Sequence, residues 1–136
     1  MDNNLLKDKM CLTFLNMKRS FVNELREVGI SYQQWNVLKT INSEEDSISA
    51  KQLVERLDSD KATISGVLKR LVTAGYVIEK KNPRDKRENL LFISNKSTKL
   101  CESISVMEKR FNDRMFQDFT SEDTEVFDLL LDKIEL

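Results

Sequence analysis

Six residues in one short stretch have the chemistry to meet a phosphodiester backbone and the bases beside it: Lys61, Thr63, Ser65, Gly66, Lys69 and Arg70. Lysine and arginine neutralise phosphate charge, hydroxyls hydrogen-bond phosphate or base edges, and glycine exposes bare backbone. Interleaved with them, Ile64, Val67, Leu68 and Leu71 fall at i, i+3, i+4 and i+7, the spacing of one buried helical face. The polar set therefore occupies the opposite face of the same helix. A second basic group follows in Arg84, Asp85, Lys86 and Arg87, beside the turn signal Asn82-Pro83. An arginine on a projecting turn suits the narrow, electronegative minor groove. Asp85, two residues before Arg87, is placed to hold its guanidinium in a forked pair.

A helix and a hairpin are expected to position these groups. Ser59 or Asp60 is the expected N-cap of the helix, and Gly75 its left-handed stop. Tyr76-Val77-Ile78 and Leu90-Leu91-Phe92-Ile93 are β-forming runs on either side of the basic turn, so a hairpin is expected. Upstream, Ser31 opens a helix with Gln34 at the capping-box position, and Trp35, Leu38 and Ile41 or Val37 face inward. A polar break covers residues 42–47, and Ile48 can add a short strand to the hairpin. Ser49 caps a short helix over 50–57 with Leu53, Val54 and Leu57 buried. Two short helices joined by Asp58-Ser59-Asp60, then a basic hairpin, outline a winged helix-turn-helix over residues 31–94.

The flanks are helical. Over residues 5–28, Met10, Phe14, Met17, Phe21, Leu25 and Val28 form an apolar stripe, and Gly29 is its expected stop. A long helix from Ser94 or Ser97 to about Phe119 carries Leu100, Ile104, Met107, Phe111 and Met115. Thr120 or Ser121 caps a last helix bearing Val126, Phe127, Leu130, Leu131 and Ile134. These stripes exceed what a small reader can cover. Residues 4–28 and 95–136 are therefore expected as dimerisation helices of a homodimer, and a two-fold reader gains paired half-sites from that symmetry. The expectation is one domain over 1–136, mainly α with a small β-hairpin wing.

Composition narrows the class. The 136 residues are 40% hydrophobic and 33% charged, with three glycines and one proline, which suits a mostly helical globular chain. Net charge is −1, yet residues 61–87 hold eight cations and two anions, so +6 there stands against −7 elsewhere. Such a local basic tool on an acidic body is the electrostatic footprint of a nucleic-acid reader. The plainer reading is a solvated face with chance clustering. No apolar run approaches the roughly 20 residues of a membrane span, and Cys11 and Cys101 are read as free thiols in a reducing cytoplasm. With no histidine and two distant cysteines there is no metal-site pattern. No Gly-rich phosphate loop or nucleophile–base pair identifies an enzyme or calls for a cofactor.

The chain resembles the MarR family of transcriptional regulators. The resemblance rests on Ser-Tyr-Gln-Gln-Trp-Asn-Val-Leu (31–38), Leu-Val-Glu-Arg-Leu (53–57) and Asp-Lys-Ala-Thr-Ile-Ser-Gly-Val-Leu-Lys-Arg-Leu (60–71). It continues in Gly-Tyr-Val (75–77), Asn-Pro-Arg-Asp-Lys-Arg (82–87) and Leu-Leu-Phe-Ile-Ser (90–94), where Asp85 and Arg87 meet the family's Asp-x-Arg wing signature. It implies a homodimer that binds a pseudo-palindromic operator, usually as a repressor, with the recognition helix in the major groove and the wing in the adjacent minor groove. By position, Thr63, Ser65, Gly66 and Lys69 would face bases or phosphates, Lys61 the backbone, and Arg87 the minor groove. Gly66 stands where the family commonly has a longer side chain, and Asp58 where it often has glycine.

The signal is open. Family ligands often bind between the reader and the dimer helices, and Phe14, Met17 and Trp35 are candidates to line such a cleft, although core packing explains them equally well. The rival is oxidation. Cys11 lies on the first helix, as does the reactive thiol of the family's peroxide-sensing branch, and Tyr32 matches a tyrosine near that thiol. The spacing from Cys11 to Ser31 is shorter than in that branch by about one helical turn. Lys7, Lys9 and Lys18 are the nearby cations able to lower a thiol pKa. A reading of another class is a winged-helix protein-interaction module that never touches DNA.

Overall fold

The computed structural model of the chain describes residues 1–44 and 47–136. Glu45 and Asp46, in the polar break expected over 42–47, lie outside the described residues. The chain divides into two compact units, Met1–Ser105 and Val106–Leu136, with the division inside a helix.

The first unit begins with α1 (Asn3–Arg26), capped by Asp2, whose carboxylate accepts from the Asn4 N–H at 2.8 Å. α2 (Tyr32–Ser43) starts at Ser31 with a complete capping box: Gln34 N–H donates to Ser31 Oγ at 3.0 Å and Ser31 N–H to Gln34 Oε1 at 2.9 Å. β1 (Ile48–Ser49) leads into α3 (Ala50–Leu57), which Ser49 and Gln52 cap in the same way. α4 (Lys61–Thr73) follows, with Asp60 as its cap. β2 (Val77–Asn82) and β3 (Asp85–Ile93) form an antiparallel hairpin. β1 adds to its far edge with Ile48 opposite Leu91, giving the sheet order β1-β3-β2. The first turns of α5 (Asn95–Met115) close the unit.

One device ends three of these helices. Gly29, Asp58 and Gly75 have φ of 73°, 46° and 81°, the left-handed region. In each case the next residue's N–H reaches back five positions, Ile30 to Leu25 O, Ser59 to Val54 O and Tyr76 to Leu71 O. This is the Schellman arrangement, in which a left-handed residue lets the chain fold back over the last turn. Glycine adopts that conformation freely, and aspartate tolerates it better than most side chains. The helix-turn-helix corner at Asp58 therefore forms without glycine.

The core is one layer of helices over the sheet. Leu25, Leu38, Leu53, Leu71 and Ile104 are fully buried, with Trp35, Val37, Ile48, Val77 and Leu91 nearly so. All four expected residues of α4, Ile64, Val67, Leu68 and Leu71, are buried. Removing a side chain such as Leu71 would cost about 2–5 kcal/mol through lost transfer and an unfilled cavity.

Several expected details differ. α1 ends at Arg26, because residues 27–29 tighten into the turn at Gly29, and it fully buries only Phe21 and Leu25. Met10 and Phe14 stay 43% and 51% exposed, since only the last turns of α1 meet α2. α3 fully buries Leu53 alone; Leu57 is half-buried, and so is Val54, which borders an open cleft. α5 stops at Met115, where residues 116–119 turn, and its buried line is Ser97, Cys101 and Ile104.

In the second unit α6 (Ser121–Asp132) starts with a capping box between Thr120 and Asp123. Phe116, Phe119 and Phe127 stack edge to face, with centroids 5.1 and 5.8 Å apart. Val126, Phe127, Leu130, Leu131 and Ile134 remain exposed.

Candidate nucleic-acid interface

α4 presents its polar residues because its apolar ones are fixed inward. Lys61, Ser65, Lys69 and Arg70 are exposed, and Thr63 and Gly66 are half-buried. At the first turn, Asp60 Oδ1 accepts the Thr63 N–H at 2.8 Å and Asp60 Oδ2 accepts the Thr63 hydroxyl at 2.7 Å. These two bonds, the backbone one first, hold the Asp60 carboxyl below its ordinary value of 3.8. The Thr63 hydroxyl is thus committed within the free protein, and what it offers outward is its remaining lone pairs and its methyl. At Gly66 a β-carbon would meet nothing within 4 Å, so the protein's own packing does not demand glycine there.

Between α3, α4 and β2 lies a cleft of about 630 Å³, lined in part by Lys51, Lys61, Ser65 and Lys69 over Ile64 and Leu68. Lys51 did not stand out in the sequence. A lone lysine in the first turn of a two-turn helix carries no periodic signal, and the fold alone brings it beside Lys61 and Lys69.

The wing is built by polar turns. Asn82 Oδ1 accepts the Arg84 N–H at 3.0 Å, and Asp85 Oδ1 accepts the Arg87 N–H at 3.1 Å. The hairpin register jumps: Lys81 pairs with Asn89 and Asn82 with Asp85, so Lys86, Arg87 and Glu88 bulge from the tip. Arg87 Nε lies 3.4 Å from Asp85 Oδ1 and its side chain is 94% exposed. The pair is a single long contact and not the fork expected from the sequence, because Asp85 also serves the Arg87 backbone. Arg84 and Lys86 are exposed beside it. Behind the tip, Lys80 Nζ sits 5.3 Å from the Phe92 ring centre.

The candidate ligand residues are not gathered. Trp35 is sealed in the core at 1% exposure, while Phe14 stands 51% exposed and Met17 half-buried on α1. A second cleft of about 580 Å³ lies instead between the end of α1 and the start of α2, lined by Lys18, Arg26 and Tyr32 among others. Lys18 Nζ is 4.9 Å from the Tyr32 ring centre. Cys11 is exposed on α1. Cys101 is buried, and that burial pushes its thiol pKa up. Among the described residues no group of three or more His, Cys, Asp or Glu side chains is placed to hold a metal ion. None of the described helices is long and apolar enough to cross a membrane.

Residues 28–88 match the sequence model of the MarR family. A MarR protein from Peptoclostridium difficile is 30% identical, with a TM-score of 0.81 over 98% of this chain and 86% of that one. The chain belongs to the MarR family. MarR proteins are transcriptional regulators and not enzymes, and the winged helix described above is this family's fold. The HTH-type transcriptional regulator YwoH of Bacillus subtilis (strain 168) is 29% identical over 104 residues, 76% of this chain and 74% of that relative. A mutant MarR from E. coli, solved in complex with operator DNA, shares the fold at 23% identity. Its TM-score is 0.84, over 94% of this chain and 91% of that one.

Proposed function

We propose that this MarR-family regulator is a homodimeric repressor that grips a pseudo-palindromic operator and is released by a small ligand. The observation that carries the reading is the display of charge. The +6 segment is turned outward, with Lys61, Ser65, Lys69 and Arg70 exposed on α4 and Arg87 94% exposed at the wing tip. α4 then enters the major groove, with its N-terminal turn near phosphate, and the wing enters the minor groove. Lys51 joins Lys61 and Lys69 on the backbone. The E. coli relative solved with operator DNA supports a DNA duplex as the partner.

Dimerisation is supported by apolar side chains that each unit leaves bare: Leu5, Leu6, Met10 and Phe14 on α1, and Phe127, Leu130 and Leu131 on α6. The ligand binds in the cleft of Lys18, Arg26 and Tyr32 and not at Phe14, Met17 and Trp35, and the two cations of that cleft favour an anionic ligand. The protein then works in the cytoplasm with free thiols.

The test is fluorescence anisotropy with a duplex that the full-length protein selects from a random-sequence pool, read across salt concentration. Specific binding should weaken steeply with salt, by a log–log slope of about −0.9 for each phosphate neutralised. Light scattering should give twice 15.9 kDa. A protein that selects no duplex and shows no salt-dependent binding is a protein-interaction module instead.

A further inference from the structure

Helix ends leave carbonyls without partners. Just past the end of α4, the three consecutive carbonyls of Ala74, Gly75 and Tyr76 all accept from Ser94 or from the first turn of α5. Lys96 Nζ donates to Ala74 O at 2.8 Å, Ser94 Oγ to Gly75 O at 2.6 Å and Ser97 Oγ to Tyr76 O at 2.7 Å. The Ser94 N–H adds a bond to Tyr76 O at 3.1 Å. Ser97 is 0% and Ser94 8% exposed, and their hydroxyl oxygens are 3.3 Å apart. Lys96 Nζ also lies 4.9 Å from the Tyr76 ring centre.

We infer that Ser94, Lys96 and Ser97 are positioning residues for DNA reading: a polar latch that fixes the angle at which α4 is presented. The inference rests on α4 being the recognition helix. Apolar packing keeps α4 on the core, and that attraction is itself non-directional. The chain turns at Gly75, where φ is 81° and no side chain stiffens the backbone. Hydrogen bonds to three successive carbonyls there are directional and oppose tilting. α4 has 13 residues and is therefore about 20 Å long, so a tilt of roughly 3° at its exit moves its first turn by about 1 Å. That displacement breaks hydrogen bonds to base edges, whose distance tolerance is a few tenths of an ångström. Flexible lysines on phosphates follow it. Losing the latch should therefore reduce specificity and spare non-specific affinity.

The experiment compares the full-length protein with Lys96→Met, Lys96→Arg and Ser97→Ala. Each is titrated with the duplex the wild type selects from a random pool and with a scrambled duplex of equal length. Working temperature stays well below every variant's Tm. Lys96→Met and Ser97→Ala should raise the Kd for the selected duplex about tenfold, with the scrambled Kd and the salt slope unchanged. Lys96→Arg, which keeps a cationic donor, should behave as wild type. An unchanged Kd ratio in Lys96→Met overturns the latch. Equal weakening on both duplexes overturns it as well, because Lys96 is then a phosphate contact. If Ser97→Ala does not fold, the two Lys96 variants decide alone. A wild type that selects no duplex overturns the DNA reading itself, and the latch role falls with it.

Discussion

Arg87 is held to Asp85 by its backbone N–H at 3.1 Å and only loosely by its side chain, with Nε at 3.4 Å. Asp85 therefore shapes the wing tip more than it restrains the guanidinium, which stays free to enter a groove. Arg87→Ala should weaken specific binding about tenfold and make the salt slope shallower by about one unit, with Tm and dimer mass unchanged. Asp85→Ala removes the bond that sets the tip and leaves the arginine in place, so its loss of affinity should be smaller. Anisotropy titrations at several salt concentrations measure both. Equal affinity in Arg87→Ala and wild type would remove the wing from the interface.

Gly66 separates folding from reading. Glycine inside a helix is less stable than alanine by about 0.5–1 kcal/mol, and a β-carbon at Gly66 meets nothing within 4 Å. Gly66→Ala should therefore raise Tm by a few degrees, and, if α4 docks in the groove as proposed, weaken binding to the selected duplex through the added methyl. Calorimetry and anisotropy on the same sample read the two signs. A variant that is both more stable and equally tight would show that the bare backbone has no role in binding.

Much of this was legible in the sequence because it is local. The capping partners Ser31 and Gln34 are three residues apart, and the left-handed stops at Gly29, Asp58 and Gly75 each need one residue of the right type. The outward display of Lys69 and Arg70 followed from the inward spacing of Ile64, Val67, Leu68 and Leu71. What was hidden depends on tertiary placement. Periodicity marks Trp35 and Phe14 as apolar and cannot say that one is sealed and the other bare. The bulge that throws Arg87 outward is set by the pairing of Lys81 with Asn89 across the hairpin. Lys51 and Lys96 gain their meaning only from the cleft and the carbonyls that the fold brings to them.

The cap of α4 should be sensitive to acid. Bonds from Thr63 favour the ionised form of Asp60 in the folded protein, so its pKa is lower folded than unfolded. Its contribution is present above the unfolded value, near pH 4, and is lost as pH falls through the lower folded value. Asp60→Ala should be less stable than wild type at neutral pH, with the gap closing in acid. Asp60→Asn, which also caps well, should keep the neutral-pH cap without that pH dependence. Thermal melts by circular dichroism between about pH 2 and 7 give the comparison. A gap between wild type and Asp60→Ala that does not change with pH would rule out the carboxylate as its source.

The two cysteines should differ sharply in reactivity. Cys11 is exposed on α1, whereas Cys101 is buried and its thiol is pushed up by that burial, so little thiolate is available at neutral pH. A maleimide pulse on the native protein should add one adduct per chain, at Cys11, and a second only after denaturation, as read by intact mass. Two fast adducts would mean that α5 opens far more readily than its packing implies. Peroxide separates the two signals open to this regulator. If peroxide releases the selected duplex from wild type and not from Cys11→Ser, the exposed thiol is the sensor. If neither protein releases it, control passes to a ligand in the cleft of Lys18 and Arg26. Lys18→Ala and Arg26→Ala should then abolish release while leaving the unliganded affinity unchanged.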